Sequence, residues 1–213
     1  MEKRRYIGVA CTIISEIFGM AYLITNFISL PFDADSAALL TKTCLQLILV
    51  VFMLIGFFAN RTRLLFGTVL VSMVYNGLSY FMGDVEDTYP MDTLFARYGW
   101  GDATYMMVYA AVDFVWIIGV ILVFAATFAK ATRKLIDSSI IIFFSLGTVL
   151  LLNIIFAAVG MAQDASSDAS GIIGCIGDGF TLYAYALALG FAFNKEKAVV
   201  DDGISPNGPS DLV

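Results

Sequence analysis

The sequence predicts an all-α, polytopic membrane protein whose six transmembrane helices form three helical hairpins, with both termini in the cytoplasm. Three observations support this prediction. Hydrophobic residues make up 60% of the 213-residue chain and charged residues only 14%, whereas soluble domains carry about 25% charged residues. Six apolar stretches are long enough to cross the hydrocarbon core of a bilayer, which takes about 20 residues. The basic residues cluster in alternate loops, as the positive-inside rule describes.

The predicted spans follow one another through short connections. The first apolar stretch begins at Tyr6 and exceeds the ~7–15 residues of a signal-peptide core, so we expect an uncleaved first span. Only Arg61-Thr62-Arg63 separates spans two and three, which predicts a tight hairpin. Residues 1–199 then form one transmembrane domain, and we expect residues 200–213 to be a disordered cytoplasmic tail. The spans cover residues 6–30, 37–60, 63–82, 103–129, 136–161 and 171–194.

Loop charges predict the orientation of the spans. Ten of the twelve basic residues lie before span one, between spans two and three, between spans four and five, or after span six. The positive-inside rule makes these loops cytoplasmic in a multi-pass protein of the cell membrane. The ten residues are Lys3, Arg4, Arg5, Arg61, Arg63, Lys130, Arg133, Lys134, Lys195 and Lys197.

The opposite face is predicted to be acidic, because nine Asp and Glu residues fall in its loops against only Lys42 and Arg97. These charges either keep the loops soluble or attract cations or a basic partner through their summed field. In the longest of these loops, Asp92–Trp100 follows Pro90 and mixes aromatic with polar residues. This pattern predicts a short helix in the membrane interface, or else a lid.

Three acidic residues lie inside the predicted spans: Glu16, Asp113 and Asp178. An ionisable group in hydrocarbon costs ~2.5–3.5 kcal/mol on insertion scales and seldom faces lipid. Glu16 falls near the midplane, whereas Asp113 and Asp178 each lie seventeen residues, or about 25 Å, from the basic residue that ends their span. No Lys or Arg lies at matching depth, and the nearest candidate, Lys42 at the outer end of span two, can snorkel to the surface. Each acid is therefore a protonated donor that joins two helices, or part of a hydrated cavity open to the outside.

Helical spacing gives the acids companions on the same helix faces. Tyr109 and Trp116 share a face with Asp113, and Tyr185 shares one with Asp178. Three amide side chains add polar groups inside the spans. The candidate residues for binding a substrate or ion are Glu16, Gln46, Asn76, Tyr109, Asp113, Trp116, Asn153, Asp178 and Tyr185.

Two further patterns concern helix packing. Four glycines between residues 171 and 179 predict close packing of span six, or a helix break beside Asp178 that would free backbone groups for binding. Setting the basic ends of spans two, four and six in register places Asp113 and Asp178 at one position, opposite Cys44. This coincidence suggests a repeat of three hairpins, although helices that end in basic residues resemble one another in any case.

The residue types disfavour several classes of site. There is no histidine, which is the commonest metal ligand and general base. Cys11, Cys44 and Cys175 lie far apart, so we expect buried free thiols and no metal site. A disulfide between Cys44 and Cys175 stays an alternative. We expect no cofactor, because haem would lack a histidine ligand and retinal would lack a lysine at mid-membrane depth. A net charge of −6 argues against nucleic acid.

These features predict a small transporter or channel-like protein for a cation or cationic solute, with an acidic polar interior open to the outside. The alternative is a non-catalytic accessory subunit or scaffold. Its partner, besides the lipid bilayer, would be another membrane protein or a second copy of the chain. An enzyme is disfavoured, because no G-x-S-x-G, H-E-x-x-H or P-loop motif occurs. No catalytic residue is predicted.

Overall fold

A computed structural model describes the backbone of residues 2–29, 34–82, 91–128, 133–163 and 169–201, with side chains for most of residues 3–25, 44–75, 99–125, 135–163 and 171–192. The described secondary structure consists of six helices joined by turns, which confirms the predicted all-α class and the six helical segments. The acidic loops around residues 30–33, 83–90 and 164–168, and the tail beyond Asp201, lie outside them. The helices are α1 (Glu2–Ser29), α2 (Ala34–Phe58), α3 (Thr62–Met82), α4 (Met91–Phe128), α5 (Arg133–Gln163) and α6 (Ser170–Asp201).

Four of these helices are long and apolar enough to cross a membrane, as expected of a membrane-embedded protein. In α2 and α3 the apolar parts within the described side chains are shorter, at Cys44–Phe58 and Thr62–Tyr75. The four long segments are Lys3–Thr25, Gly99–Ala125, Leu135–Gln163 and Gly171–Ala192.

The turn between α2 and α3 is the predicted tight hairpin. Asn60 adopts a left-handed backbone conformation with φ of 57°, which Asn tolerates better than most residues because its short side chain can bond locally. The Arg61 N–H then donates to the carbonyl of Gly56 at 2.9 Å. This 6→1 bond satisfies a carbonyl that the end of α2 would otherwise leave unpaired. The chain reverses within three residues.

The helix α4 contains one break, at Gly99, where φ is 74° and ψ is 175°. A side chain is disfavoured at this φ, so glycine permits the break. The Gly101 N–H beyond the break is capped by the side-chain oxygen of Gln163 from α5, at 3.0 Å. Residues 91–98 are thus a separate short helix, as predicted, while its placement in the membrane interface stays a prediction.

The helix α6 lies at the centre of the bundle, packed against α1, α3 and α5, and α4 packs along the other side of α5. Glycines bring these backbones together. A Cβ added to Gly147 of α5 would lie 2.8 Å from the Gly179 carbonyl oxygen of α6, and one added to Gly101 would lie 2.3 Å from the Gly160 nitrogen. By contrast, α3 and α4 barely touch. A space therefore opens between α4 and the α1–α2–α3 side of the bundle.

The two ends of the bundle differ in packing. We refer to the end that carries the start of α1 and the α2–α3 turn as the basic end, and to the opposite one as the far end. At the basic end, Phe57 and Leu65 are wholly buried. The Phe57 ring lies 6.3 Å from the Phe191 ring, and a Cβ on Gly8 would lie 2.5 Å from it. The hydrophobic core therefore closes the bundle on this side.

Candidate functional site

A cavity of about 570 Å³ occupies the space between α4 and the helices α1, α2, α3 and α6. It begins among far-end residues such as Tyr22, Tyr105 and Gly171, and it ends near mid-bundle at Thr12, Ser72 and Tyr185. Its volume falls in the range of about 300–1,000 Å³ that is typical of small-molecule sites.

The wall formed by α4 is aromatic and acidic. Tyr105, Tyr109, Asp113 and Trp116 all line the cavity, because residues three and four apart lie on one helix face. The Tyr105 and Tyr109 rings lie with their centroids 5.8 Å apart and their planes inclined by 56°. On this wall, Asp113 therefore lies between Tyr109, one turn closer to the far end, and Trp116, one turn closer to the basic end.

The wall formed by α6 consists of small residues near the far end and of polar residues deeper in the bundle. Gly171 and Gly174 line the cavity beside Asp178, and α6 continues through all of them without a break. A Cβ added to Gly174 would have ordinary contact, at 3.9 Å, with the Tyr22 ring. Of the two sequence-based interpretations of these glycines, the helix break is therefore wrong. Gly179 packs closely against α5, whereas Gly174 lines the cavity and packs less closely, against α1.

Asp113 of α4 and Asp178 of α6 both line the cavity. The charge of Asp178 acts on Asp113, and the Tyr109 hydroxyl donates a hydrogen bond to Asp178 Oδ2. Asp113 has no hydrogen-bond or ion-pair partner within the described part of the chain. No Lys or Arg is found among the described residues that line the cavity. The described lining of the cavity therefore holds two carboxylates and no basic side chain.

Three polar contacts join helices around the inner part of the cavity. The Ser72 and Tyr185 hydroxyls bond α3 to α6, and the Ser15 and Thr181 hydroxyls bond α1 to α6. Thr12 Oγ1 donates to the carbonyl of Gly8 at 2.8 Å and lies 3.5 Å from the sulfur of Met53 in α2. Below these contacts lies the closed core of the basic end.

Six of the nine candidate residues line this one cavity: Gln46, Tyr109, Asp113, Trp116, Asp178 and Tyr185. Gln46 reaches it from α2, with its Nε2 lying 3.7 Å from where a Cβ on Gly19 would be. The structure thus brings together one residue of α2, three of α4 and two of α6. Their roles in binding stay a prediction.

The other three candidates do not contribute to the described lining. Glu16 lies beside the cavity-facing stripe of α1 but does not line the cavity, and its Oε2 is buried without a hydrogen-bond partner among the described residues. Asn153 is buried between helices, where its Nδ2 donates to the Tyr105 carbonyl at 3.2 Å. The Asn76 side chain lies outside the described residues.

Sequence reasoning missed several cavity residues, notably Tyr105, Tyr75, Tyr22 and Ser15. Tyr105 precedes Tyr109 by one turn, so the spacing rule that found Tyr109 and Trp116 would also have found it. Ser15 and Tyr22 lie on the face of α1 beside that of Glu16, so the same rule applied from Glu16 does not reach them. A search started from charged residues alone did not extend that rule far enough. Cys11 and Cys175 are buried free thiols, as expected, whereas the free thiol of Cys44 is exposed.

Comparisons with protein-family models, with curated proteins and with solved structures gave no match to this chain. The functional argument therefore rests on the geometry and charge of the cavity.

Proposed function

We propose that this chain is a six-span protein of the cell membrane, with both termini in the cytoplasm, and that it is a small transporter or channel-like protein for cations. The observation that carries this proposal is the pair Asp113 and Asp178, which share a cavity that no described Lys or Arg lines. The far end then faces outwards, and the acidic loops predicted there would concentrate cations at the cavity mouth.

The energetics of the two carboxylates support a cation as the ligand of the cavity. Charges act more strongly on one another in a low-dielectric interior than in water, and intramembrane acids typically mark the pathways of ions, protons or substrates. Two carboxylates in contact with one cavity repel each other, and a bound cation relieves that repulsion. Asp113, which has no described hydrogen-bond or ion-pair partner, gains the most from such a ligand.

The shape of the cavity supports transport over a purely structural role for the acids. The space extends from the far end to mid-bundle and stops at the packed core of the basic end. Transporters commonly hold their substrate near the middle of the membrane and close one side at a time. We therefore propose that the cavity is entered from the far end in this state, because the packed core blocks it towards the basic end.

The accessory-subunit alternative predicts an outer face poor in bulky side chains, suited to another helix. The described outer faces instead carry large apolar residues, which are typical of contact with lipid. Exposed examples are Ile17, Ile48, Phe52, Ile141, Phe144, Leu152 and Ile155. This observation favours the transport proposal.

The proposal is tested by charge movement across proteoliposomes on a solid-supported membrane, after concentration jumps of Na⁺, K⁺ or tetramethylammonium chloride. We expect the wild-type protein to give a transient current with at least one of these cations. Asp113→Asn and Asp178→Asn should each reduce it about tenfold or more, because each removes a ligand charge. Asp137→Asn is the matched control, since it removes an exposed carboxylate of α5 that does not line the cavity.

Two results would contradict the proposal. One is an absence of current for every cation with folded wild-type protein. The other is an unchanged current in both cavity variants. The topology is tested separately by fusing reporter proteins to the carboxy terminus in bacteria. If this terminus is cytoplasmic, a green fluorescent protein fusion should be fluorescent and an alkaline phosphatase fusion should be inactive.

A further inference from the structure

We propose that the cavity binds an organic ammonium ion, with the charged nitrogen at Asp113 and Asp178 and its carbon substituents against the aromatic wall of α4. This inference rests on the cation site proposed above and names the class of ligand that it takes. Three independent features favour an organic cation over a metal ion: the volume, the ligand set and the aromatic lining.

The volume is too large for a bare metal ion. A protein site for a hard cation holds it among about six to eight oxygen atoms at roughly 2.3–2.6 Å, as Ca²⁺ sites do. In a cavity of about 570 Å³, such an ion would touch one wall and leave most of the space unfilled. The described residues also contain no group of three or more carboxylate, thiol or imidazole side chains placed to hold a metal.

The aromatic lining suits a cation that carries carbon. Tyr105, Tyr109 and Trp116 all line the cavity from α4, with Tyr185 and Tyr22 on neighbouring helices. Aromatic faces attract quaternary and alkylated ammonium ions, and Trp is the strongest of them. Trp116 follows Asp113 by three residues, which places a ring and a carboxylate on one helix face. A single ligand can therefore contact both.

The α6 wall of the cavity carries no side chain beside two of the tyrosines. A Cβ on Gly171 would lie 3.4 Å from the Tyr105 ring of α4, and one on Gly174 would lie 3.9 Å from the Tyr22 ring of α1. The glycines therefore keep a slot open between α6 and these rings that is about one methyl group wide. A leucine at position 174 would occupy that slot without changing any charge, which separates a test of volume from a test of charge.

The chain contains two tryptophans, and this permits a direct binding measurement. Trp100 lies at the far end and is 71% exposed, so full-length Trp100→Phe protein keeps Trp116 as its only tryptophan. Its fluorescence is titrated with choline chloride. The comparison ligand is 3,3-dimethyl-1-butanol, which has the same shape with carbon in place of the charged nitrogen. NaCl at equal concentration controls for ionic strength, and Trp116→Phe protein controls for the site of the signal.

We expect choline to cause a saturable change in the fluorescence of Trp116. Neither the neutral alcohol nor NaCl should cause it, and choline should not cause it in Trp116→Phe protein. In the Trp100→Phe background, Asp113→Asn and Gly174→Leu should each weaken choline binding about tenfold, the first through charge and the second through volume. Asp137→Asn should leave it unchanged. Size-exclusion profiles establish that each variant is folded, and a failure of Gly174→Leu to fold leaves the Asp113→Asn and neutral-ligand comparisons decisive.

Three results would overturn the inference: equal binding of the alcohol and choline, the same fluorescence change with NaCl, or no saturable change in folded protein. The experiments distinguish a failure of the organic-cation inference from a failure of the transport proposal. Currents with Na⁺ or K⁺ but no choline binding would reject the organic cation and keep the cation transporter. Choline binding without any current would support the binding site and reject transport.

Discussion

Both halves of this bundle contain glycines and large aromatic residues, but they pack them differently. In the basic half, the Phe57 side chain is wholly buried, and a methyl group on Gly8 would come within 2.5 Å of it. In the far half, Phe18 and Gly174 face a cavity of about 570 Å³. At ~24 cal/mol per Å³, a sealed and dry void of that size would cost roughly 14 kcal/mol. The polar lining and the two carboxylates make the space suitable for water and a ligand instead.

The helices that border the cavity are tightly packed against their other neighbours, so the cavity does not result from loose packing of the bundle. On the opposite side of α4, a Cβ on Gly101 would lie 2.3 Å from the backbone nitrogen of Gly160. Behind α6, a Cβ on Gly147 would lie 2.8 Å from the Gly179 carbonyl oxygen. Small residues therefore bind α4 and α6 to α5, and the same two helices hold Asp113 and Asp178 in place. Rigid borders around an open interior are what a binding site requires.

The largest expected effect compares one phenylalanine from each half. Phe57→Ala should reduce the free energy of unfolding by about 3 kcal/mol, at the low end of such changes in soluble cores, because lipid is as apolar as the protein interior and the transfer contribution is small. Phe18→Ala should cost about 1 kcal/mol, since its side chain already borders empty space. Titration with sodium dodecyl sulfate in mixed micelles measures both. Equal losses would contradict the difference in packing between the halves.

A second comparison uses glycines and predicts effects of opposite sign. Gly101→Ala should destabilise the protein by about 2–3 kcal/mol, because the added methyl group meets backbone atoms that cannot move aside. Gly174→Ala should stabilise it by up to about 1 kcal/mol, because alanine favours the helix and the methyl group makes only ordinary contact. The melting temperature in detergent reports both changes. A destabilised Gly174→Ala protein would show that the slot beside α6 is narrower than described.

Much of this arrangement could be predicted from the sequence, for identifiable reasons. Hydropathy gave the six helices, since a span needs about 20 apolar residues. Helical spacing gave Tyr109, Asp113 and Trp116 as one face, and all three line the cavity. A short helix separate from span four was predicted, but the position of the break at Gly99 was not, because a glycine in an apolar segment marks a break only if the backbone adopts a positive φ there.

The rotation and pairing of the helices could not be predicted from one sequence. Counting residues placed Asn153 at a suitable depth, but α5 turns this side chain towards the Tyr105 carbonyl rather than the cavity. The depth of a residue in the bundle depends on its position along the helix. The direction in which its side chain points depends on how the helix is rotated against its neighbours. The seams of α5 with α4 and with α6 are set by backbone contacts at glycines, which no periodic pattern of charge reveals. Glu16 misses the cavity for the same reason.

A smaller change in the free energy of unfolding is expected on removal of either of two tyrosine hydroxyls, one at the base of the cavity and one on the outer surface of the bundle. Tyr185→Phe removes the bond to Ser72 and should cost about 1 kcal/mol, within the range of interhelical hydrogen bonds in membranes. Tyr183→Phe removes a bond to Thr148 on the outer surface, where Thr148 retains the Phe144 carbonyl at 2.9 Å. It should cost half as much or less. The same detergent titration compares them, and a larger loss in Tyr183→Phe would contradict the assignment of Tyr185 to the base of the cavity.

The smallest effect is expected at Glu16, the intramembrane acid that does not line the cavity. Glu16→Gln keeps the shape of the side chain and removes its charge, so cation-driven currents and choline binding should stay within about twofold of wild type. Stability should be unchanged or slightly higher, because the buried Oε2 has no described partner to lose and an uncompensated charge is costly there. Asp113→Asn, the same chemical change at the cavity wall, is the positive control. If Glu16→Gln abolished the current with the fold intact, Glu16 would belong to the pathway. The cation would then leave the cavity along the seam of α1, and the half that contains the packed core would have to open.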